Sequence, residues 1–286
     1  EVGSERHRDM LARAAAQAGV KALGFLPSFA DLALPSRHLG LVQAEEHADI
    51  AAYAIRLADR LAPHLDLDAL VALMRLPSIP AQDAGAPIPP FGQRIAVALD
   101  IAFAFAYAAT LEGWRKAGAE LSFFSPLADE GPARDADAVF LPGGYPELHA
   151  GRLAASANFL EGVRQAAQRG AAIYGECGGY MVLGEGLVDA AGERHAMAGL
   201  LPVVTSFAQR KLHLGYRQAD LLADSPLGAA GTAFRGHEFH SSSVVSEGDS
   251  PALFRVQDAL CRDLGSLGRR RGSVCGSYLH LIDQGL

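Results

Sequence analysis

The chain has 286 residues, half of them hydrophobic and a fifth charged, which excludes a disordered, collagen-like or disulfide-framed protein. Its 25 basic residues stand against 32 acidic ones, and a net charge of −7 argues against a nucleic-acid-binding face. With three scattered cysteines, no apolar run of membrane-spanning length and no signal-peptide pattern in Glu1-Val2-Gly3-Ser4-Glu5-Arg6, a soluble protein of a reducing cytoplasm is expected, without a membrane partner.

Ser4 is placed to cap a helix that runs to Ala18 and stops at Gly19. Val20 to Leu26 reads as a short strand closed by Pro27. Helices are expected over about Ala44–Ala62 and Asp66–Met74. This section has few strands of its own and starts at an element boundary, as if upstream strands belonged with it. Pro77 to Gly92 holds five prolines and no periodicity, the composition of a linker.

Beyond the linker the rhythm changes. Arg94–Leu99 reads as a strand, Phe103–Ala117 as a helix, and Glu120–Phe124 and Ala138–Leu141 as strands. Asn158–Arg169 follows as a helix and Ala171–Tyr174 as a strand. Alternation at these lengths predicts an α/β fold, with a parallel sheet covered on both faces. Residues 200–280 carry short extended runs and Gly/Ser turns, expected to extend the sheet and to bring in further site residues.

Gly175-Glu176-Cys177-Gly178-Gly179 directly follows the apolar strand Ala171–Tyr174. Small–x–nucleophile–x–small between strand and helix is the nucleophile-elbow pattern, here with Cys in place of Ser. The tight turn needs glycines, and the helix N-terminus behind Cys177 is expected to lower the thiol pKa. A buried structural cysteine is the competing reading. His280, in Gly276-Ser277-Tyr278-Leu279-His280, is the best base for such a thiol; alone, a late histidine carries little weight. Leu141-Pro142-Gly143-Gly144-Tyr145-Pro146-Glu147 closes a strand with consecutive glycines, whose amides suit an oxyanion hole shared with Gly178, or simply form a β–α turn. His237 and His240 invite a metal reading. Their spacing of three in an extended segment points them to opposite faces, so no metal is expected. Structural hydrogen bonding and substrate or interdomain contact both stand open for this pair.

These motifs occur together in one family. Gly143-Gly144-Tyr145-Pro146-Glu147, Gly175-Glu176-Cys177-Gly178-Gly179, Gly236-His237-Glu238-Phe239-His240 and Ser277-Tyr278-Leu279-His280 resemble the class I glutamine amidotransferase domain of cobyrinic or hydrogenobyrinic acid a,c-diamide synthases. Asp100–Tyr107, Phe124–Leu127 and, upstream of the linker, Leu34–Leu41 resemble the same group, so the likeness covers nearly the whole chain.

The resemblance implies that Cys177 attacks the carboxamide of glutamine, forming a glutamyl thioester and releasing ammonia. It makes His280 base and acid, gives the oxyanion to the amides of Gly144 and Gly178, and offers Arg37, Tyr145, His237 and His240 as substrate contacts. Arg37 is equally open to a surface ion pair. The wider class carries a Glu two positions after the histidine; Ile282 stands there, and Asp283 is not at the matching position. A Cys–His dyad is therefore expected, with His280 oriented by a group the sequence does not identify.

The family's reaction joins glutamine-derived ammonia to the a and c acetate carboxylates of a corrin-ring acid, using ATP and Mg²⁺. The implied partners are thus glutamine and a corrinoid tetrapyrrole polycarboxylate, and a homodimer is one assembly open to it. The implied domains are 1–76, the C-terminal part of a P-loop ATPase domain similar to dethiobiotin synthetase; 77–92, a linker; and 93–286, the amidotransferase domain. A phosphate-binding loop needs Gly-Lys-Ser/Thr, but Lys21, Lys116 and Lys211 follow Val20, Arg115 and Arg210. The main ATP loop is therefore expected outside this chain. A cobyric acid synthase-type enzyme and a non-catalytic domain of the same fold are the alternatives.

Overall fold

The computed structural model describes residues 2–37, 40–75 and 88–285. Contacts divide the chain into two units, Glu1–Gln82 and Asp83–Leu286.

In the first unit α1 spans Glu5–Gln17, and the Ser4 Oγ accepts the His7 N–H at its start. A two-residue ladder pairs β1 (Ser36–Arg37) with β2 (Gly40–Leu41). Two further helices, α2 (Ile50–Leu61) and α3 (Leu67–Leu73), start where Asp49 and Asp66 accept the N–H groups of Ala52 and Ala69. The Asp49 cap explains why the expected long helix from Ala44 is cut: one 3₁₀ turn, Ala44–Glu46, precedes a bend, and the α-helix begins behind the capping carboxylate. The expected strand Val20–Leu26 does not form. That segment makes single bridges, Gly24 to Leu65 and Pro27 to Val2, and no continuous ladder that would pair its backbone groups.

The linker reading falls mainly on residues 76–87, which lie outside the described residues. Its last residues are packed. Ile88 is buried, its carbonyl accepts the Trp114 Nε1–H (3.0 Å), and Phe91 meets Trp114, Phe140 and Tyr174 edge-on. An aromatic ring with that much apolar surface to cover pulls the end of the proline-rich stretch into the core.

The second unit then runs β3 (Arg94–Ala98), α4 (Ala108–Lys116), β4 (Glu120–Phe124), β5 (Ala138–Leu141), α5 (Ala150–Ala155), α6 (Ala157–Gln168), β6 (Ala172–Glu176) and α7 (Gly178–Leu183). Strands follow as β7 (Gly186–Val188), β8 (Arg194–Ala196), β9 (Val203–Ser206), β10 (His213–Leu221), β11 (Ala233–His240), β12 (Ser243–Glu247), β13 (Ala252–Asp258), β14 (Asp263–Arg271), β15 (Val274–Ser277) and β16 (Leu279–Gln284). Helix α4 starts later than its sequence pattern because the Phe105 N–H bonds the Gly143 carbonyl (3.0 Å), tying that stretch to the loop behind β5.

A ten-stranded sheet orders these strands β16-β11-β10-β13-β14-β15-β6-β5-β3-β4. From β15 to β4 every pairing is parallel; from β16 to β15 every pairing is antiparallel. The expected parallel sheet is present, and β10, β11, β13, β14 and β16 extend it as an antiparallel section, while β9 and β12 go to a separate sheet. Tyr278 alone separates β15 from β16, so the two ends of that section are joined and it curls on itself. A second sheet of order β12-β9-β7-β8 lies apart. One apolar core, including Phe103, Leu141, Phe159, Ile173 and Met181, packs with α5 to α7; another, including Ile95, Trp114, Phe140, Phe234, Phe254 and Leu279, fills the other side. Among the described residues no helix is long and apolar enough to cross a membrane.

Candidate functional site

The site forms where β6, the loop behind β5, and β16 meet. Strand β6, buried from Ile173 onward, ends in Glu176, and the next residue, Cys177, takes φ 46° and ψ −102° before α7 begins. A side-chain-bearing residue is strained at positive φ, and it persists because its neighbours hold it. The Cys177 N–H bonds the Ser277 carbonyl (2.8 Å), and its own carbonyl accepts the Met181 N–H (3.1 Å). The elbow expected at Cys177 is therefore real backbone geometry.

The thiol environment differs from expectation. Burial pushes the Cys177 thiol well above its ordinary range, and the nearby carboxylates Glu147, Glu176 and Glu238 push the same way, against the one Gly178 N–H that lowers it. The helix behind it has six residues, and its N-terminus is outweighed by desolvation. At rest this cysteine is a thiol.

His280 is equally buried. Burial lowers its pKa to about 3, with His237 and His240 adding to the effect, so the ring is neutral at physiological pH. It pairs in register with His237 across β16 and β11, and the two rings stack at 4.9 Å with planes 6° apart. The Tyr107 hydroxyl hydrogen-bonds His237 Nε2 (2.5 Å) and so fixes the stacking partner. Gly143 lies against the other part of the ring: a Cβ there would sit 2.4 Å from His280 Cε1. The pair expected to hold an oxyanion is also close, since a Cβ on Gly178 would lie 3.1 Å from the Gly144 nitrogen.

His237 and His240 part company. His240 is buried, with Nδ1 near the Ser242 carbonyl (3.1 Å), Nε2 at 2.9 Å from Glu238 Oε1, and its ring stacked on Tyr278 at 3.8 Å. His213, Glu238 and His240 bring possible metal-binding atoms together. The rings of His213 and His240 are parallel (4.7 Å, 3°), so their in-plane lone pairs run side by side, and Arg217 holds Glu238 Oε2 (2.9 Å). This is the geometry of a buried ion-pair network.

Residues 94–285 match the family model of the CobB/CobQ-like glutamine amidotransferase domain. The chain belongs to this family. It is 54% identical over 285 residues to the hydrogenobyrinate a,c-diamide synthase of Brucella anthropi, covering 99% of this chain and 64% of that protein. It is 53% identical over 288 residues to the enzyme of the same name from a Sinorhizobium species, covering 99% of this chain and 65% of that one. The chain thus spans just under two thirds of the length of these curated relatives. Among solved structures, a chain of PurLQS from Thermotoga maritima aligns with a TM-score of 0.46 and 21% identity, over 66% of this chain and 87% of that one.

Within this amidotransferase domain, Cys177, His280, Gly144, Gly178 and His237 come together at one end of the parallel strands. Tyr145 is buried edge-on to Phe105 (5.2 Å). Arg37 belongs to the first unit, where its guanidinium grips both oxygens of Glu46 at 2.5 and 2.6 Å. Sequence reasoning passed over Glu176 and Tyr107. Glu176 is buried, its Oε2 3.8 Å from His280 Nδ1. Burial raises its pKa to about 8, although the Leu281 N–H and the Tyr174 hydroxyl, both 3.1 Å from Oε1, oppose the rise. The available signal was a carboxylate ending an otherwise apolar strand, beside the candidate nucleophile Cys177 and on the same strand face as Tyr174.

Proposed function

We propose that this chain performs the glutaminase half-reaction of a hydrogenobyrinate or cobyrinate a,c-diamide synthase. The observation that carries the reading is the strained Cys177 between β6 and α7, sharing one buried site with a neutral imidazole and a Gly-Gly loop. A protonated thiol beside a neutral imidazole supports attack with concerted proton transfer. The Cys177 sulfur bonds to the amide carbon of glutamine while its proton passes to His280. The Gly144 and Gly178 amides hold the oxyanion of the tetrahedral intermediate. Collapse breaks the C–N bond, His280 returns the proton to the leaving nitrogen, and ammonia departs. Water, deprotonated by His280, then hydrolyses the thioester to glutamate.

The ammonia would be used to amidate the a and c acetate carboxylates of a corrin-ring acid, after their activation by Mg-ATP. The names of the relatives at 53–54% identity support this larger reaction. The described residues do not fit the triphosphate. Lys21 pairs with Asp66 (3.7 Å), Lys116 ends α4, and neither follows a glycine-rich strand-to-helix turn. No step through ATP is derived from this chain. Residues 1–76 are proposed to be the later part of an ATPase domain.

The first test is labelling with an electrophilic glutamine analogue and peptide mapping. Modification of Cys177, with Cys261 and Cys275 spared, is expected; label on either of those instead overturns the reading. Mass spectrometry of the products formed by the full-length protein with glutamine, Mg-ATP and each candidate ring acid tests the ligase part.

A further inference from the structure

The geometry points to Glu176 as the residue that positions His280 and balances the charge its ring acquires. The inference rests on the reading of Cys177 and His280 as nucleophile and base, and adds to it the group that holds the base.

His280 Nδ1 is buried without a hydrogen-bond partner. An orphaned ring nitrogen leaves the tautomer undefined, whereas a base toward Cys177 must keep its proton on the nitrogen facing away from the sulfur. The carboxylate oxygen toward that nitrogen is Glu176 Oε2, at 3.8 Å, with both side chains 4% exposed. Other groups near the ring do not serve. Ile282 is apolar and exposed, Asp283 lies opposite Arg235 beyond the bulge at Ile282 while the carboxylate against His280 is that of Glu176, and His237 lies on the ring face.

Glu176 is itself aimed. Oε1 accepts from the Leu281 N–H and from the Tyr174 hydroxyl, each at 3.1 Å, and this double hold leaves Oε2 toward the imidazole. The Leu281 bond matters because Leu281 is the neighbour of His280: the same strand presents the base and fixes the carboxylate behind it. At 3.8 Å the resting contact is longer than a hydrogen bond, as catalytic contacts often are before substrate binds. When the Cys177 proton reaches His280, the ring becomes a cation, and a carboxylate at this position is the group that favours it.

The consequence is a pH signature. His280 is already neutral over the working range, so the ionisation that arms the pair belongs to Glu176, whose pKa burial places near 8. The groups around it are Tyr174 and Cys177 on either side along the chain, Tyr107 ahead of α4, and His237, Glu238 and His240 from β11. Of these, Tyr107, Tyr174 and Cys177 are pushed up and His237 and Glu238 down, away from that range.

The experiment is the rate of Cys177 alkylation by a chloroketone analogue of glutamine, followed by peptide mapping on the whole chain from about pH 5 to about pH 10. The wild-type rate should rise through an inflection near the Glu176 value. Glu176→Gln keeps an acceptor for Leu281 and Tyr174 but carries no charge; it should slow alkylation by about 10²-fold and erase the inflection. Wild-type rate and inflection in E176Q would overturn the proposal. Should E176Q fail to fold, Tyr174→Phe decides. It removes one hydrogen bond that lowers the Glu176 pKa, so the inflection should move to higher pH, and an unmoved inflection refutes the assignment. His280→Ala separates the two levels: alkylation at the wild-type rate in that variant sinks the base itself, whatever Glu176 does.

Discussion

The parallel strands β3 to β6 and the antiparallel strands β10, β11 and β16 build one site by different means. The parallel half places the proposed nucleophile through its backbone: a positive φ at Cys177, a Gly-Gly loop behind β5, and main-chain bonds from Cys177 to Ser277 and Met181. The antiparallel half places the proposed base through side chains: a stacked cross-strand pair, His237 and His280, whose outer member is tied to Tyr107. A position held by backbone geometry survives side-chain change, because its neighbours' main chains define it. A position held by stacking is lost or shifted by single substitutions nearby.

The largest losses are expected at the proposed nucleophile and base. Cys177→Ser leaves the elbow backbone intact, yet should reduce glutamine hydrolysis by about 10⁴-fold or more, since a hydroxyl at this buried site is a far poorer nucleophile than the thiol. Steady-state glutaminase assay checks it, and a loss under about tenfold would mean another residue attacks. His280→Ala should cost about 10²–10⁴-fold in the same assay. In the full-length protein, activity driven by added ammonia should survive, because ammonia from solution bypasses the thioester. Equal loss with both nitrogen sources would make His280 structural.

Gly143→Ala tests the point where the halves touch. The new Cβ would lie 2.4 Å from His280 Cε1, so the ring must move off its present position. A displacement of about 1 Å at a reacting group costs about 10²-fold, so kcat should fall by that order while KM for glutamine changes little. Unchanged kcat would show that the base is held more loosely than the stacking implies.

The same division governs what can be read from the sequence. In the parallel half, the buried β5 and the largely exposed edge strand β4 both fall on their expected bounds, because each is a short run bounded by turn residues. The bounds of β6 shift for a physical reason: the apolar run ends at Tyr174, but the ladder continues through Gly175 and Glu176 beside β15. In the antiparallel half, β10 alternates in burial but puts Leu214 and Tyr216 on the exposed positions and half-buries His213 and Arg217, so its apolar residues do not mark the buried face. Cys177 and His280 are legible as types in short motifs. Glu176 is not, because a carboxylate for the histidine is sought just after it in the chain. The fold instead brings Glu176 to Leu281 across a separation of 105 residues, by laying β15 on β6 and turning at Tyr278 into β16. The thiol pKa failed for a related reason: a helix terminus is visible in sequence, whereas desolvation by a completed core is not.

The mildest test lies one residue outward from the base. Tyr107 is partly exposed; its hydroxyl holds His237 by one hydrogen bond, and His237 in turn holds the His280 ring by stacking. Tyr107→Phe keeps the aromatic body and removes that bond. A single hydrogen bond contributes about 0.5–1.5 kcal/mol, or about 2- to 13-fold if all of it acts on the barrier. Because the loss must pass through a second ring, the expected fall in kcat is at the low end, about 2- to 3-fold, with KM unchanged. His237→Ala removes the stacking surface itself and should cost more than Tyr107→Phe. The order of the two variants is the informative quantity. If Tyr107→Phe costs more than His237→Ala, the hydroxyl acts on glutamine directly, and the base is not held through the stacked pair.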